Sequence, residues 1–128
     1  MSNMSAVPYE RLTVDRLVRA AEQTRIKPIS GQFCDVTDDG QRCGCGITIA
    51  YAALFPYDIP EESFKTRIFA NTFESIIEKL GLPYDYASGF MFGFDNYDKP
   101  PQFMDDDMQA GFEDGKAAQK HFFGGGDV

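Results

Sequence analysis

The chain has 128 residues, 43% of them hydrophobic, with 12 Phe and 6 Tyr. That is enough apolar mass for one domain with an aromatic core, and too much for a disordered chain. The formal net charge of -8 argues against direct binding of nucleic acid or of an anionic membrane, because both need a basic surface.

Residues 1–9 read as a tail, 10–123 as a single globular domain and 124–128 as a second tail. Thr13 is placed to N-cap a helix running to about Thr24, with Val14, Leu17, Val18 and Ala21 on its apolar face and Arg16 and Arg19 outside. Asp39-Gly40 lies between two short alternating segments within residues 32–45 and predicts a β-hairpin, since both residue types tolerate positive φ. A two-residue turn there would set Val36 opposite Cys43 and Cys34 opposite Cys45. Ile47 to Phe55 follows, an apolar run in which Ala50, Ala52 and Ala53 favour helix over strand.

The clearest helical pattern spans Glu61 to Leu80, with Phe64, Ile68, Phe73, Ile76, Ile77 and Leu80 as its stripe and Gly81 as its stop. Pro83 opens another helix to about Phe94, and Asp105 to Asp107 stand at the acidic start of a last one that ends near Phe123. The fold class expected is mainly α within α+β: four or five packed helices and one small hairpin.

Gly89-Phe90-Met91-Phe92-Gly93 is echoed by Gly111-Phe112-Glu113-Asp114-Gly115. Each internal glycine costs a helix about 1 kcal/mol relative to alanine. Glycines four apart share a face and let a second backbone come close. The spacing therefore predicts that the last two helices cross at Gly89, Gly93, Gly111 and Gly115. Asp85 and Asp95 flank the first copy, so the apolar context of a membrane pair is lacking, and the longest apolar stretch is too short to span a bilayer.

Three cysteines, with no basic stretch followed by an apolar run at the N-terminus, point to free thiols in a reducing cytoplasm. On a two-residue turn Cys34, Cys43 and Cys45 share one face of the hairpin, and the single histidine, His121, would complete a Cys₃His zinc site. The same residues suggest a thiol nucleophile paired with His121, with Arg42 to lower a neighbouring thiol pKa. The alternative is that the cysteines only pack as small apolar groups. Asp35-x-Thr37-x-Asp39-Gly40 copies the first half of an EF-hand loop, but Gly46 stands where the closing acid is required.

Residues 82–128 carry nine Asp or Glu against three Lys or Arg. Asp95, Asp98, Asp105, Asp106, Asp107 and Asp114 form a candidate interaction surface for a partner protein with a basic surface. If they stand in one row, they could instead imitate nucleic-acid phosphates as an inhibitor. Asp95, Asp98 and Asp105 to Asp107 could also cluster around a divalent cation, or cap helices and stay solvated. Met91, Phe92 and Phe103 lie off the main apolar stripes and leave room for a homodimer.

The Gly31-x-Phe33, Asp39-Gly40 and Cys43-Gly44-Cys45-Gly46 run, followed by an alanine-rich helix, resembles a hairpin–helix unit of small uncharacterised bacterial and bacteriophage proteins. Gly111 to Ala118 is similar to their closing helix. The resemblance implies such an origin and no activity. The reading reached from sequence is a non-enzymatic acidic interaction module, with the thiol or zinc site and the acidic mimic as alternatives.

Overall fold

The computed structural model describes residues 11–66, 72–95 and 105–124. Among these residues the order is α1 (Val14–Thr24), β1 (Lys27–Pro28), β2 (Cys34–Val36), β3 (Arg42–Gly44), α2 (Gly46–Leu54), α3 (Glu61–Thr66), α4 (Phe73–Leu80), α5 (Tyr84–Phe94) and α6 (Asp106–Phe123). The protein is mainly helical with a small three-stranded sheet, consistent with α+β.

The first helix starts where Thr13, in extended backbone, accepts a hydrogen bond from the Arg16 amide. It stops at Arg25, which takes a left-handed conformation at φ 60° and donates its amide to the Ala21 carbonyl. Leu17 and Ala20 are its buried residues. Beyond it, β1 pairs parallel with β3, which sequence pattern did not indicate: Lys27 stands opposite Cys43 and Pro28 opposite Gly44. The sheet order is β1-β3-β2, with Pro28 on the edge strand, where its missing N–H is tolerated.

The β2–β3 hairpin has a three-residue loop, not the expected two. Thr37 donates its amide to the Gln41 carbonyl at 2.9 Å, Gly40 donates back to Thr37 at 3.0 Å, and Gly40 sits at φ 90°. A turn followed by a left-handed glycine is the usual three-residue solution. The Thr37 hydroxyl, which accepts from the Gln41 amide at 3.0 Å and donates to the Asp39 carboxylate, closes the loop one residue earlier than Asp39-Gly40 alone suggests. The register follows: Val36 opposes Arg42, Asp35 opposes Cys43 and Cys34 opposes Gly44. The pairings of Val36 with Cys43 and of Cys34 with Cys45 are thereby corrected.

At the centre lies α2, buried from Gly46 to Ala53 and apolar all round, as a helix surrounded by other elements must be. The Glu61–Leu80 segment is not one helix. Helix α3 ends at Thr66, and Thr72 in extended backbone (φ -75°, ψ 159°) caps a new helix by accepting from the Ser75 amide. A threonine hydroxyl that can hold an exposed amide competes with helix continuation. Residues 67–71, Ile68 among them, lie outside the described residues. Gly81 ends α4 at φ 75°, and the Leu82 amide reaches back to the Ile77 carbonyl at 3.0 Å, satisfying the helix end as a Schellman turn.

Helices α5 and α6 pack in parallel. A Cβ placed on Gly89 would lie 2.0 Å from the Met108 carbonyl oxygen, and one on Gly93 would lie 2.3 Å from that of Phe112. Reciprocally, a Cβ on Gly111 would lie 1.9 Å from the Tyr86 oxygen and one on Gly115 2.2 Å from that of Phe90. Each glycine meets the carbonyl three residues before the opposing glycine, so the two helices are related by a local two-fold axis along their length. This close approach sets Cα hydrogens against carbonyl oxygens, a weak but repeated attraction. Phe90 and Phe94, buried and stacked with ring centroids 5.6 Å apart, carry the pair onto α2, where a Cβ on Gly46 would meet the Phe90 ring at 2.9 Å.

Candidate functional site

The parallel arrangement brings two helix N-termini to the same end of the molecule. Each contributes a positive partial charge, and each first turn supplies acids: Asp85 in α5, Asp106 and Asp107 in α6. Asp105 caps α6 by accepting from the Met108 amide at 2.8 Å. The Met108 amide, followed by a hydrogen bond shared with Asp85, holds the Asp105 carboxyl below the usual range. Asp85 moves the other way: its hydrogen bond to Asp105, then the Asp105 charge, push it up. Among the described residues no Arg or Lys forms an ion pair with Asp85, Asp105, Asp106 or Asp107.

Of the six candidate surface aspartates, the five that are described do not stand in the single row that the nucleic-acid mimic requires. Asp95 follows the far end of α5 and accepts the Gly31 amide at 2.9 Å, where it ties the β1–β2 connection to the helix. Asp98 lies outside the described residues. Asp114 sits mid-way along α6 and is fully engaged: Arg11 grips it with Nε at 2.9 Å and Nη2 at 2.7 Å, and the Tyr86 hydroxyl donates to it at 2.5 Å. The same hydroxyl accepts from the Leu12 amide at 2.7 Å. Burial, then the bond to Asp114, push the Tyr86 phenol well above its ordinary value, so it stays a donor. The surface that does gather charge is Asp85 with Asp105, Asp106 and Asp107. Sequence placed Asp85 only as a charge flanking the first glycine pair, not in this surface; its first-turn position two residues after Pro83 was the available signal, but only the parallel packing says that the two first turns meet.

The thiols are separated. Because Cys34 opposes Gly44 while Asp35 opposes Cys43, the side chains of Cys34 and Cys43 emerge on opposite faces of the hairpin. Cys34 donates to the Ser63 carbonyl at 3.2 Å, the Cys43 sulfur lies 3.6 Å from the Gln41 carbonyl, and Cys45, at the N-cap of α2, lies 3.5 Å from the Thr48 hydroxyl. His121 is exposed on α6, its ring edge-on to Phe122. Among the described residues no three His, Cys, Asp or Glu side chains are placed to hold a metal, so the set Cys34, Cys43, Cys45 and His121 does not converge.

Burial pushes all three thiols up, against the thiolate a nucleophile or a zinc ligand needs. Arg42 is occupied elsewhere. It donates to the Thr24 carbonyl at the end of α1 at 2.9 Å and lies over the Phe64 ring at 5.4 Å, lining a cavity of about 170 Å³ with Gln23, Thr24, Ile26, Ala52 and Pro56.

A second polar cluster joins α2 to α4. The Tyr51 hydroxyl donates to Asp58, and Lys79 lies 3.3 Å from Asp58 and 3.4 Å from the Tyr51 oxygen. Burial first, then the bond to Asp58, raise the Tyr51 phenol, while Tyr51 and Lys79 lower Asp58. Every member is a closed hydrogen-bond partner of another, which suits a tie between helices.

Among the described residues no helix is long and apolar enough to cross a membrane. No family model matches the chain, and no curated protein or solved structure shows significant similarity to it.

Proposed function

We propose that the protein is a non-enzymatic docking module that binds a basic surface of another protein through the joint N-terminal end of α5 and α6. The observation that carries this reading is the meeting of two acidic first turns: the parallel packing of α5 and α6 sets Asp85 beside Asp105, Asp106 and Asp107 follow, and no described cation pairs with any of them. Like charges held together raise the affinity of the site for a proton or for an incoming cation. The guanidinium or ammonium groups of a partner would supply that charge and would steer association from a distance. Two exposed helix N-termini hold the acids in place and offset part of their mutual repulsion. The thiols and the Tyr51–Asp58–Lys79 group have structural partners, and none is arranged as a nucleophile with a base.

The test uses a fluorescent nona-arginine peptide and the full chain. A variant carrying Asp85→Asn, Asp106→Asn and Asp107→Asn, with the Asp105 cap kept, is compared with a charge-matched control carrying Glu22→Gln, Asp38→Asn and Asp39→Asn at exposed sites elsewhere. The expected result is about a tenfold loss of affinity in the first and a much smaller loss in the control, with binding that weakens steeply from low to moderate salt. Equal losses in the two variants would show that net charge alone governs binding and would remove the assignment.

A further inference from the structure

Asp114 lies seven residues beyond Asp107, so both occupy one face of α6, two turns or about 10 Å apart. Its side chain is 13% exposed, and it is held between the Tyr86 hydroxyl and the two-pronged guanidinium of Arg11. The Arg11 side chain, by contrast, is 55% exposed. The next residue, Leu12, is fully buried and anchored independently through its amide on Tyr86. A planar fork facing a carboxylate is the geometry by which arginine, and not lysine, is recognised.

We infer that Asp114 and Tyr86 form an arginine-recognition notch continuous with the acidic end of α5–α6, and that the chain's own Arg11 occupies it as an internal competitor. The inference rests on the docking reading above and names the partner's contact group: the guanidinium of an exposed arginine, one or two helical turns from the basic residues that meet Asp105 to Asp107. Leu12 stays seated when Arg11 leaves, so opening the notch requires rotation of one solvent-facing side chain and not unfolding of the segment. While Arg11 is in place, a partner's arginine binds with an affinity reduced by the fraction of molecules in which the notch is open. A tethered competitor at an effective concentration in the millimolar range keeps that fraction small.

Two measurements decide it. First, Arg11→Ala is titrated with N-acetyl-arginine amide and with N-acetyl-lysine amide, following the Tyr86 ring and Asp114 backbone signals by NMR. Saturable binding of the arginine compound to the variant, weaker binding of the lysine compound and no response of the wild type are expected. Absence of arginine binding to the variant, or equal binding to the wild type, overturns the notch. Arg11→Lys, which keeps a cation but loses the fork, gives the same readout if Arg11→Ala does not fold.

Second, nona-arginine affinity should rise about tenfold in Arg11→Ala. Arg19→Ala, which removes an equal charge from an exposed site, should change it little. Adding Asp114→Asn to Arg11→Ala should abolish the gain. Equal gains for Arg11→Ala and Arg19→Ala overturn the competitor role. Loss of preference for the acidic end, with arginine amide still filling the notch, would defeat the docking reading while leaving the notch standing.

Discussion

Glycine closes two junctions in this molecule for different physical reasons. Between α5 and α6 the space a Cβ would need is taken by backbone: the Met108 oxygen lies 2.0 Å from a Cβ placed on Gly89 and the Tyr86 oxygen 1.9 Å from one placed on Gly111. Where the hairpin runs into α2, the nearest atoms are side chains: Thr48 Cγ2 at 2.9 Å from a Cβ placed on Gly44, with the Phe33 carbonyl oxygen next at 3.1 Å, and the Phe90 ring at 2.9 Å from one placed on Gly46. A side chain can turn or slide. Two helical backbones related by a local two-fold cannot part at one glycine without parting at the others. Small size therefore matters most where the neighbour is itself main chain.

Substitution separates the two junctions sharply. Alanine in a helix interior would ordinarily gain about 1 kcal/mol over glycine. At Gly111 the overlap with the Tyr86 oxygen reverses the sign, and Gly111→Ala should cost about 3 kcal/mol or more, at or beyond the upper end for overpacking. For a domain of this size that lowers the thermal midpoint by at least about 10 °C. Denaturant melts of Gly111→Ala and Gly89→Ala check it; wild-type stability in either would mean that the helices do not meet here.

Gly46→Ala comes next. The Phe90 ring must shift by several tenths of an ångström against its stacked neighbour Phe94, for a cost of about 1–2 kcal/mol after the helix gain is counted. A loss as large as that of Gly111→Ala would erase the contrast between backbone and side-chain contact. Gly40→Ala sharpens the comparison from the other side. Nothing lies within 4 Å of a Cβ there, yet φ is 90°, so the expected cost of about 1 kcal/mol comes from backbone conformation alone.

These junctions also show what could be read from the chain beforehand. Helix starts at Thr13 and Asp105, stops at Gly81 and Phe123, and the mainly helical class follow from local chemistry, because each depends on a cap or a glycine within a few residues. The helix start at Thr72 was hidden because the apolar stripe runs through it, and periodicity does not register a cap. The hairpin register turned on a single hydroxyl, Thr37, and a one-residue slip moved Cys34 and Cys43 to opposite faces. The acidic surface was harder still. Composition located the excess of aspartate, but which acids stand together depends on α5 and α6 running parallel, a fact of connection that no local pattern carries. Asp85 entered the site for that reason, Asp95 left it, and Asp114 became the partner of a residue more than a hundred positions away.

The smallest expected effect tests the acidic end itself and has a definite sign. The folded protein holds the Asp85 proton more tightly than the unfolded chain does, because Asp105 lies beside it. A raised carboxyl pKa means that stability falls as pH rises from the ordinary aspartate value through the folded one, and the penalty persists above that window. Asp105 contributes with the opposite sign: its lowered pKa gives stability that is present above the ordinary value and lost as pH falls through the folded one. Asp85→Asn keeps a hydrogen-bond donor for Asp105 and removes the competing charge, at the loss of one favourable acid in the first turn of α5. The variant removes the charge that Asp105 repels, so it should melt above wild type at pH 7. That gain should shrink as pH falls and wild-type Asp85 takes up its own proton. A thermal shift measured across pH 3–8 decides it: a gain independent of pH would place the cause in packing and not in charge. A loss at pH 7 would mean that attraction to the helix end outweighs the repulsion from Asp105, and the crowding of like charge on which the docking reading leans would be gone.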